Sequence, residues 1–282
     1  MLSERAVLVT LNIGMWNAQV KDDTAARNAA SAYGAKATSI RSFKKLIEDT
    51  SLNTIHNLGQ KLRTTHYSLT RPWGDNNERM LTTKAYFDYC RIMGDLRDKF
   101  EAAVDEFIPK YPDLVEAAKL MLNTGWKLED YPQHYSIKSR FYVGIHFAPV
   151  PEKGDFRVGL DENDLERLNA SLEEANAVKL QEATKEVWAR VHKVVDHMAT
   201  TLENYGPGKR LFESVVENVK ELATNLPKLN VLDDPEMDNT AQDILTKLTQ
   251  FSAESLKESD QLRSTVASEA KALSERIKGY GL

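Results

Sequence analysis

Residues 161–205 are strongly helical in character for over forty positions, and this run constrains the fold more than any other feature of the chain. Leu165, Leu168, Leu172 and Ala175 are spaced as a coiled-coil seam. The seam shifts by a few residues and resumes with Leu180, Ala183, Val187, Val191, Val194, Met198 and Leu202. At about 1.5 Å per residue such a helix reaches roughly 60 Å, and Gly206-Pro207-Gly208 ends it. A long helix with a narrow apolar stripe is not stable alone, so it must fold back on other helices or pair with another chain. A self-packed antiparallel bundle and a homo-oligomer both satisfy that demand.

Much of the remaining sequence is also helical in pattern. Asp22 and Asp23 suit the positive end of a helix dipole and open an Ala-rich run. Ile40, Phe43, Leu46 and Ile47, then Leu52, Ile55, Leu58 and Leu62, follow the spacing of an amphipathic helix or helix pair. That pattern stops near Arg71-Pro72, and 68–81 reads as a polar loop. A helix is expected over 83–107, with Phe87, Ile92, Met93, Leu96, Phe100 and Val104 on its apolar side. Pro109 and Pro112 bracket a turn, and Asp113 caps a helix running to Asn123. Beyond the long helix, a shorter one over 209–226 is stopped by Pro227, an acidic loop covers 230–239, and a last helix spans 240–277.

The middle of the chain differs. Residues 137–147, IKSRFYVGIHF, are rich in β-branched and aromatic side chains, and FRVGL follows a Pro- and Gly-bearing connection. Two short strands joined by a loop are expected over 137–160. The alternating run 6–13 reads as a further strand, which can join the hairpin because an isolated hairpin is marginal in water. The expected fold is therefore mainly α with a small β element. It is an elongated antiparallel helical bundle or coiled coil with a central β-hairpin, organised as strand 1–20, helical region 21–136, hairpin 137–160 and long-helix region 161–282 in one elongated domain.

Composition narrows the function classes. With one Cys, 13 Gly and 9 Pro in 282 residues, the chain is neither a disulfide scaffold nor collagen-like. An apolar share of 41%, slightly low, suits an elongated body with much surface. Glu4 and Arg5 cancel where a signal peptide would be basic, and no window approaches the roughly 18 apolar residues of a membrane span. Cys90, in an aromatic helical context, reads as a buried core thiol. These features point to a protein of a reducing cytoplasm.

No catalytic signature is present. The six histidines lack zinc-helix spacing, and no CxxC is possible with one Cys. There is no GxxxxGK[ST], GxGxxG or GxSxG, and acidic clusters sit at helix caps and loops. No catalytic residue, cofactor or metal is expected. Charge is more informative: 1–147 carries 20 Lys+Arg and 17 Asp+Glu, while 148–282 carries 17 and 25. Within 24–71, Arg27, Lys36, Arg41, Lys44, Lys45, Lys61, Arg63 and Arg71 are opposed only by Glu48 and Asp49. Phe43, Tyr67 and Trp73 lie among or beside these cations. Cations with stackable rings are what single-stranded nucleic acid requires, although a solvated face that docks on the acidic second half is also consistent.

Three stretches in order, LTRPWGDNNERML, IPKYPDLVEAAKLMLNTGWKLEDYP and FYVGIHFAPVPEKGDFRV, resemble an uncharacterised protein family of bacteriophages and mobile elements. The likeness covers roughly 5–200. It implies a helical protein without an assigned activity, carried among phage genes for DNA metabolism or ATPase-linked modules, and it transfers no site residues. Three expectations follow. The first is a non-enzymatic phage-type helical protein, self-associating or contacting other phage or host proteins. The second is a single-stranded nucleic-acid-binding accessory protein using 24–71. The third is a membrane-active protein with the hairpin as a tongue, which Lys138, Arg140 and His146 disfavour.

Overall fold

The computed structural model describes residues 2–74, 77–155 and 161–280. The first strand, β1 (Ala6–Gly14), holds Ala6, Leu8 and Val9 buried, so both of its faces are covered at that end. A short ribbon strand, β2 (Gln19–Lys21), follows, and then α1 (Asp23–Ala32), whose N-cap Asp22 accepts from the Thr24 and Ala25 amides. Gly34, with φ +60°, carries the chain out of that helix.

The amphipathic helix expected from Ile40 onward is not formed before residue 53. Phe43–Lys45 is a strand, β3, antiparallel to β2 in a two-stranded ribbon, and α2 runs Asn53–Leu69. The spacing misleads because Leu46 and Ile47 are buried from an irregular segment, while Phe43 stays exposed on the ribbon. The polar loop expected over 68–81 is likewise structured. Here β4 (Arg71–Pro72) and β5 (Arg79–Thr82) pair antiparallel, and β5 pairs with β1 in the register Ala6↔Thr82, Leu8↔Met80. Helix α3 (Thr83–Phe107) occupies the expected span, but Phe87 is 81% exposed and belongs to no core. Then come α4 (Tyr111–Leu122) and the single turn α5 (His134–Ile137).

Tyr142–Pro149 forms β6, which lies beside β1 in a four-stranded sheet of order β4-β5-β1-β6. The expected hairpin partner, 156–160, lies outside the described residues. β6 is joined by the N-terminal strand, and the expected strand residues 137–141 before it are instead helical turns and a connection. The N-terminal strand thus sits within the main sheet, not at its margin.

Helix α6 (Glu162–Glu203) begins at its N-cap Asp161. It is followed by α7 (Ser214–Leu229), with Pro227 inside its last turn, so the helix expected from 209 starts later and passes the proline. The predicted final helix is three. Asp234 caps α8 (Pro235–Lys247), Ser252 caps α9 (Ala253–Glu258) and Ser259 caps α10 (Asp260–Lys278). Ser and Asp hydroxyl or carboxylate groups bond nearby amides and so break a continuous apolar pattern into capped pieces.

Two compact units divide the chain, Met1–Thr10, His66–Cys90 and His146–Leu282 in one, Leu11–Thr65 and Arg91–Ile145 in the other. In the first unit, Val187, Val191, Val195, Met198 and Leu202 of α6 share a core with Val219, Ala223 and Leu226 of α7, Ile244 of α8 and Val266, Ala270 and Leu273 of α10. A smaller core joins Ala6 and Leu8 of β1 and Met80 of β5 to Trp73, Val150, Ala183 and Val231. In the second unit, Trp16 meets Tyr111 edge-on at 5.6 Å, and Phe107 meets Phe141 at 5.7 Å. The fold is thus mainly helical with a small sheet.

The two halves of α6 differ. Its buried residues begin only at Ala183; Leu165 and Leu172 are half-exposed and Leu168 is exposed. Among the described residues, the seam expected at the start of this helix therefore enters no buried core.

Candidate functional site

Residues 24–71 pass from the second unit into the first after Thr65, which separates the sequence-predicted residues into two groups. Arg27, Lys36, Arg41, Phe43, Lys44, Lys45, Lys61 and Arg63 stand in the second unit. In the β2–β3 ribbon Lys21 lies opposite Phe43 and Gln19 opposite Lys45. Strand side chains alternate faces, so these four share one exposed face on which the Phe43 ring is 59% exposed. Arg41 and Lys36 are exposed in the connection leading into β3, and so is Tyr33 at the end of α1. Arg27 is exposed on α1, Lys61 exposed and Arg63 half-buried on α2.

Lys44 leaves this face. It points to the opposite side of the ribbon, where Nζ donates to the Gly125 carbonyl at 2.6 Å and pairs with Asp130 at 2.6 Å, with only 13% of its side chain exposed. Its charge is already neutralised, which corrects its place among the candidate contacts. Lys21 and Tyr33 were missed by sequence reasoning because Lys21 precedes the basic run, and neither register nor exposure is legible without the ribbon.

Tyr67, Arg71 and Trp73 stand in the first unit, and two of them are buried. Trp73 lies in the small core, with Lys179 Nζ 5.6 Å from its ring centroid. It offers no free face for a base, a correction to its expected role. Around Arg71 the chain gathers three guanidinium groups. The last carbonyls of a helix lack intrahelical donors and carry the negative end of its dipole. Arg190 of α6 supplies donors at the end of α2: Nη1 to the Tyr67 and Ser68 carbonyls at 3.0 and 3.3 Å, while Nη2 donates to Glu186 at 2.8 Å. Arg79 Nε donates to Thr70 Oγ1 at 2.6 Å and Nη2 to the Thr70 carbonyl at 3.0 Å, with the guanidinium 4.7 Å from the Tyr67 ring centroid. Arg71 itself is 1% exposed, and its Nε and Nη2 have no hydrogen-bond partner among the described residues. Burial draws its pKa down to about 10, opposed by Glu186 and reinforced by Arg190.

Beside this cluster, buried His66 is hydrogen-bonded through Nδ1 to the Tyr89 hydroxyl at 2.8 Å. Burial, and then the Arg79 charge, lower the His66 pKa to about 4, so it is neutral at pH 7. Burial raises the Tyr89 phenol above its ordinary range. Cys90 is half-buried rather than a core thiol, and the Tyr86 hydroxyl bonds to it. Among the described residues no three His, Cys, Asp or Glu side chains gather as a metal site requires. No described helix is long and apolar enough to cross a membrane. No family model, curated protein or solved structure matches the chain.

Proposed function

We propose that this is a non-enzymatic helical protein that works through protein–protein contacts as a self-associating assembly, its long helices forming an antiparallel bundle completed by a second copy of the chain. The observation that carries this reading is the first half of α6, where none of the residues before Ala183 is buried. Leu165, Leu168 and Leu172 keep the spacing of a packing seam there and enter no buried core among the described residues. About twenty helical residues with so little burial are marginal by propensity alone, and a partner helix supplies what they lack. On the same side of the helix Asn169 Oδ1 accepts from the Gly154 amide at 3.2 Å, and Asn176 Nδ2 donates to the Pro151 carbonyl at 2.8 Å. The 151–154 turn thus covers part of the arm, and a second copy would cover the rest. Exposed Phe87 and Leu120, the latter 91% exposed, mark further surface suited to contacts with other phage or host proteins. A phage or mobile-element origin, and action in a host cytoplasm, complete the proposal.

Light scattering on the full chain tests it. We expect a mass of at least twice 31.9 kDa, reduced toward one chain in Leu165→Gln/Leu168→Gln/Leu172→Gln with helix lost only from the arm. A strict monomer removes the reading.

A second reading, single-stranded nucleic-acid binding, is favoured by one observation, the ribbon face that presents Phe43 with Lys45 and with Lys21. Lys21 makes a solvent-exposed ion pair to Asp23 at 2.6 Å, which a phosphate would have to displace. Cations and an exposed ring on one strand face suit a phosphate backbone and a stacked base. Binding of a labelled oligonucleotide that weakens with salt, and that is lost in Lys21→Glu/Phe43→Ala/Lys45→Glu, supports it; unchanged affinity in that variant ends it.

A further inference from the structure

The cations around Glu186 are not equivalent. Arg190 gives its Nε and Nη2 edge to Glu186, and Arg79 gives the same edge to Thr70. In each case the two parallel N–H groups along the side of the guanidinium are occupied. Arg71 has that same pair, Nε and Nη2, with no partner among the described residues, although it is the most deeply buried of the three. Among the described residues the three guanidinium groups share the single carboxylate of Glu186, which leaves an excess of positive charge there. An unpaired buried charge is strongly unfavourable, and a guanidinium edge matches two oxygens of a carboxylate or phosphate in parallel.

We propose that the free side edge of Arg71, on β4 beside the Arg79–Arg190–Glu186 cluster, is a receptor for one oxyanion, a carboxylate or a phosphate group. The anion supplies the missing counter-charge and meets the two parallel donors with one oxygen each, a match that a single water or chloride does not offer. Strand β4 is one of the two outer strands of the sheet, and a cleft of about 250 Å³ lined by Pro72, Trp73, Gly74, Lys179 and Glu182, though not by Arg71 itself, opens next along the chain. Lys179 adds a cation on that side. Aliphatic or neutral ligands leave the Nε and Nη2 donors unmet and are not expected to bind. This site goes beyond self-association through α6, and the loss of one leaves the other standing.

The test is calorimetric titration of the full chain with inorganic phosphate and, separately, with acetate, against chloride at the same ionic strength. We expect saturable binding of one ion per chain by at least one of the two. Phosphate alone points to a phosphorylated ligand, and acetate alone to a carboxylate such as an acidic side chain. Arg71→Lys keeps the charge and removes the edge, and is expected to bind at least tenfold more weakly. Titration of the assigned Arg71 Nε–H resonance in the unaltered protein decides the matter even if that variant fails to fold, since the bound ion should shift it in a saturable way. No saturable binding by either ion, affinity in Arg71→Lys within twofold of the parent, or an unmoved Nε–H resonance overturns the proposal.

Discussion

Lowering the pH should destabilise the first unit through one side chain, His66. It is buried, hydrogen-bonded to Tyr89 and held to about 4 by burial and then by Arg79, whereas an unfolded chain restores it to about 6.5. Between those values the unfolded state binds the proton and the native state does not, so stability is full above pH 6.5 and falls as the pH drops toward 4. A separation of about 2.5 units at about 1.4 kcal/mol each amounts to about 3 kcal/mol. His66→Gln keeps a group that can bond the Tyr89 hydroxyl but cannot titrate. Urea unfolding of parent and variant, followed by circular dichroism from pH 7.5 to pH 4, should show the parent losing about 3 kcal/mol more than the variant. An imidazole that titrates near 6.5 by nuclear magnetic resonance, or a parent–variant difference that does not change with pH, refutes the reasoning.

Other perturbations separate the parts of the fold. Lys44→Met strands Asp130, its partner at 2.6 Å with both side chains largely buried, and should cost about 3 kcal/mol in thermal melting; adding Asp130→Asn should recover part of it. Asp233, at φ 54°, accepts from Lys84 at 2.6 Å and Arg5 at 2.7 Å, and the Lys84 hydrogen bond is the leading cause of its lowered pKa. Its stabilisation should be present above the ordinary carboxylate range and fade as the pH falls through its folded value, a dependence that Asp233→Ala should abolish in acid melts. Met198→Ala, in the shared helical core, should cost about 3 kcal/mol. Leu168→Ala, on the exposed half of the same helix, should change the unfolding of the dilute chain by under about 0.5 kcal/mol.

Elements whose pattern is local were legible in the sequence. The span of α3, the start of α6 at Asp161 and of α1 at Asp22, and the strand character of β1 follow from capping residues and periodicity. What failed depends on distant contacts. Phe43, Leu46 and Ile47 keep helical spacing, but the register with β2 turns Phe43 outward and buries Leu46 and Ile47 from irregular backbone. Arg71 and Trp73 read as solvent-facing beside a polar turn, yet pairing with β5 and packing near α6 bury both. Lys44 read as one more surface cation until the carboxylate of Asp130, far along the sequence, met it. The separate roles of Arg79 and Arg190 were invisible because each answers the carbonyl end of a helix elsewhere in the chain. Leu165 and Leu172 keep the expected spacing but are only half-buried, because the buried stretch of α6 begins at Ala183.

The proposed self-association can be measured at the stripe itself. Amide hydrogen exchange over residues 162–182, recorded across a hundredfold range of protein concentration, reports whether a second chain covers the exposed half of α6. Self-association through this arm predicts slow exchange at high concentration that accelerates on dilution and is fast throughout in the Leu165→Gln/Leu168→Gln/Leu172→Gln variant. Exchange over 162–182 that is the same at every concentration contradicts it.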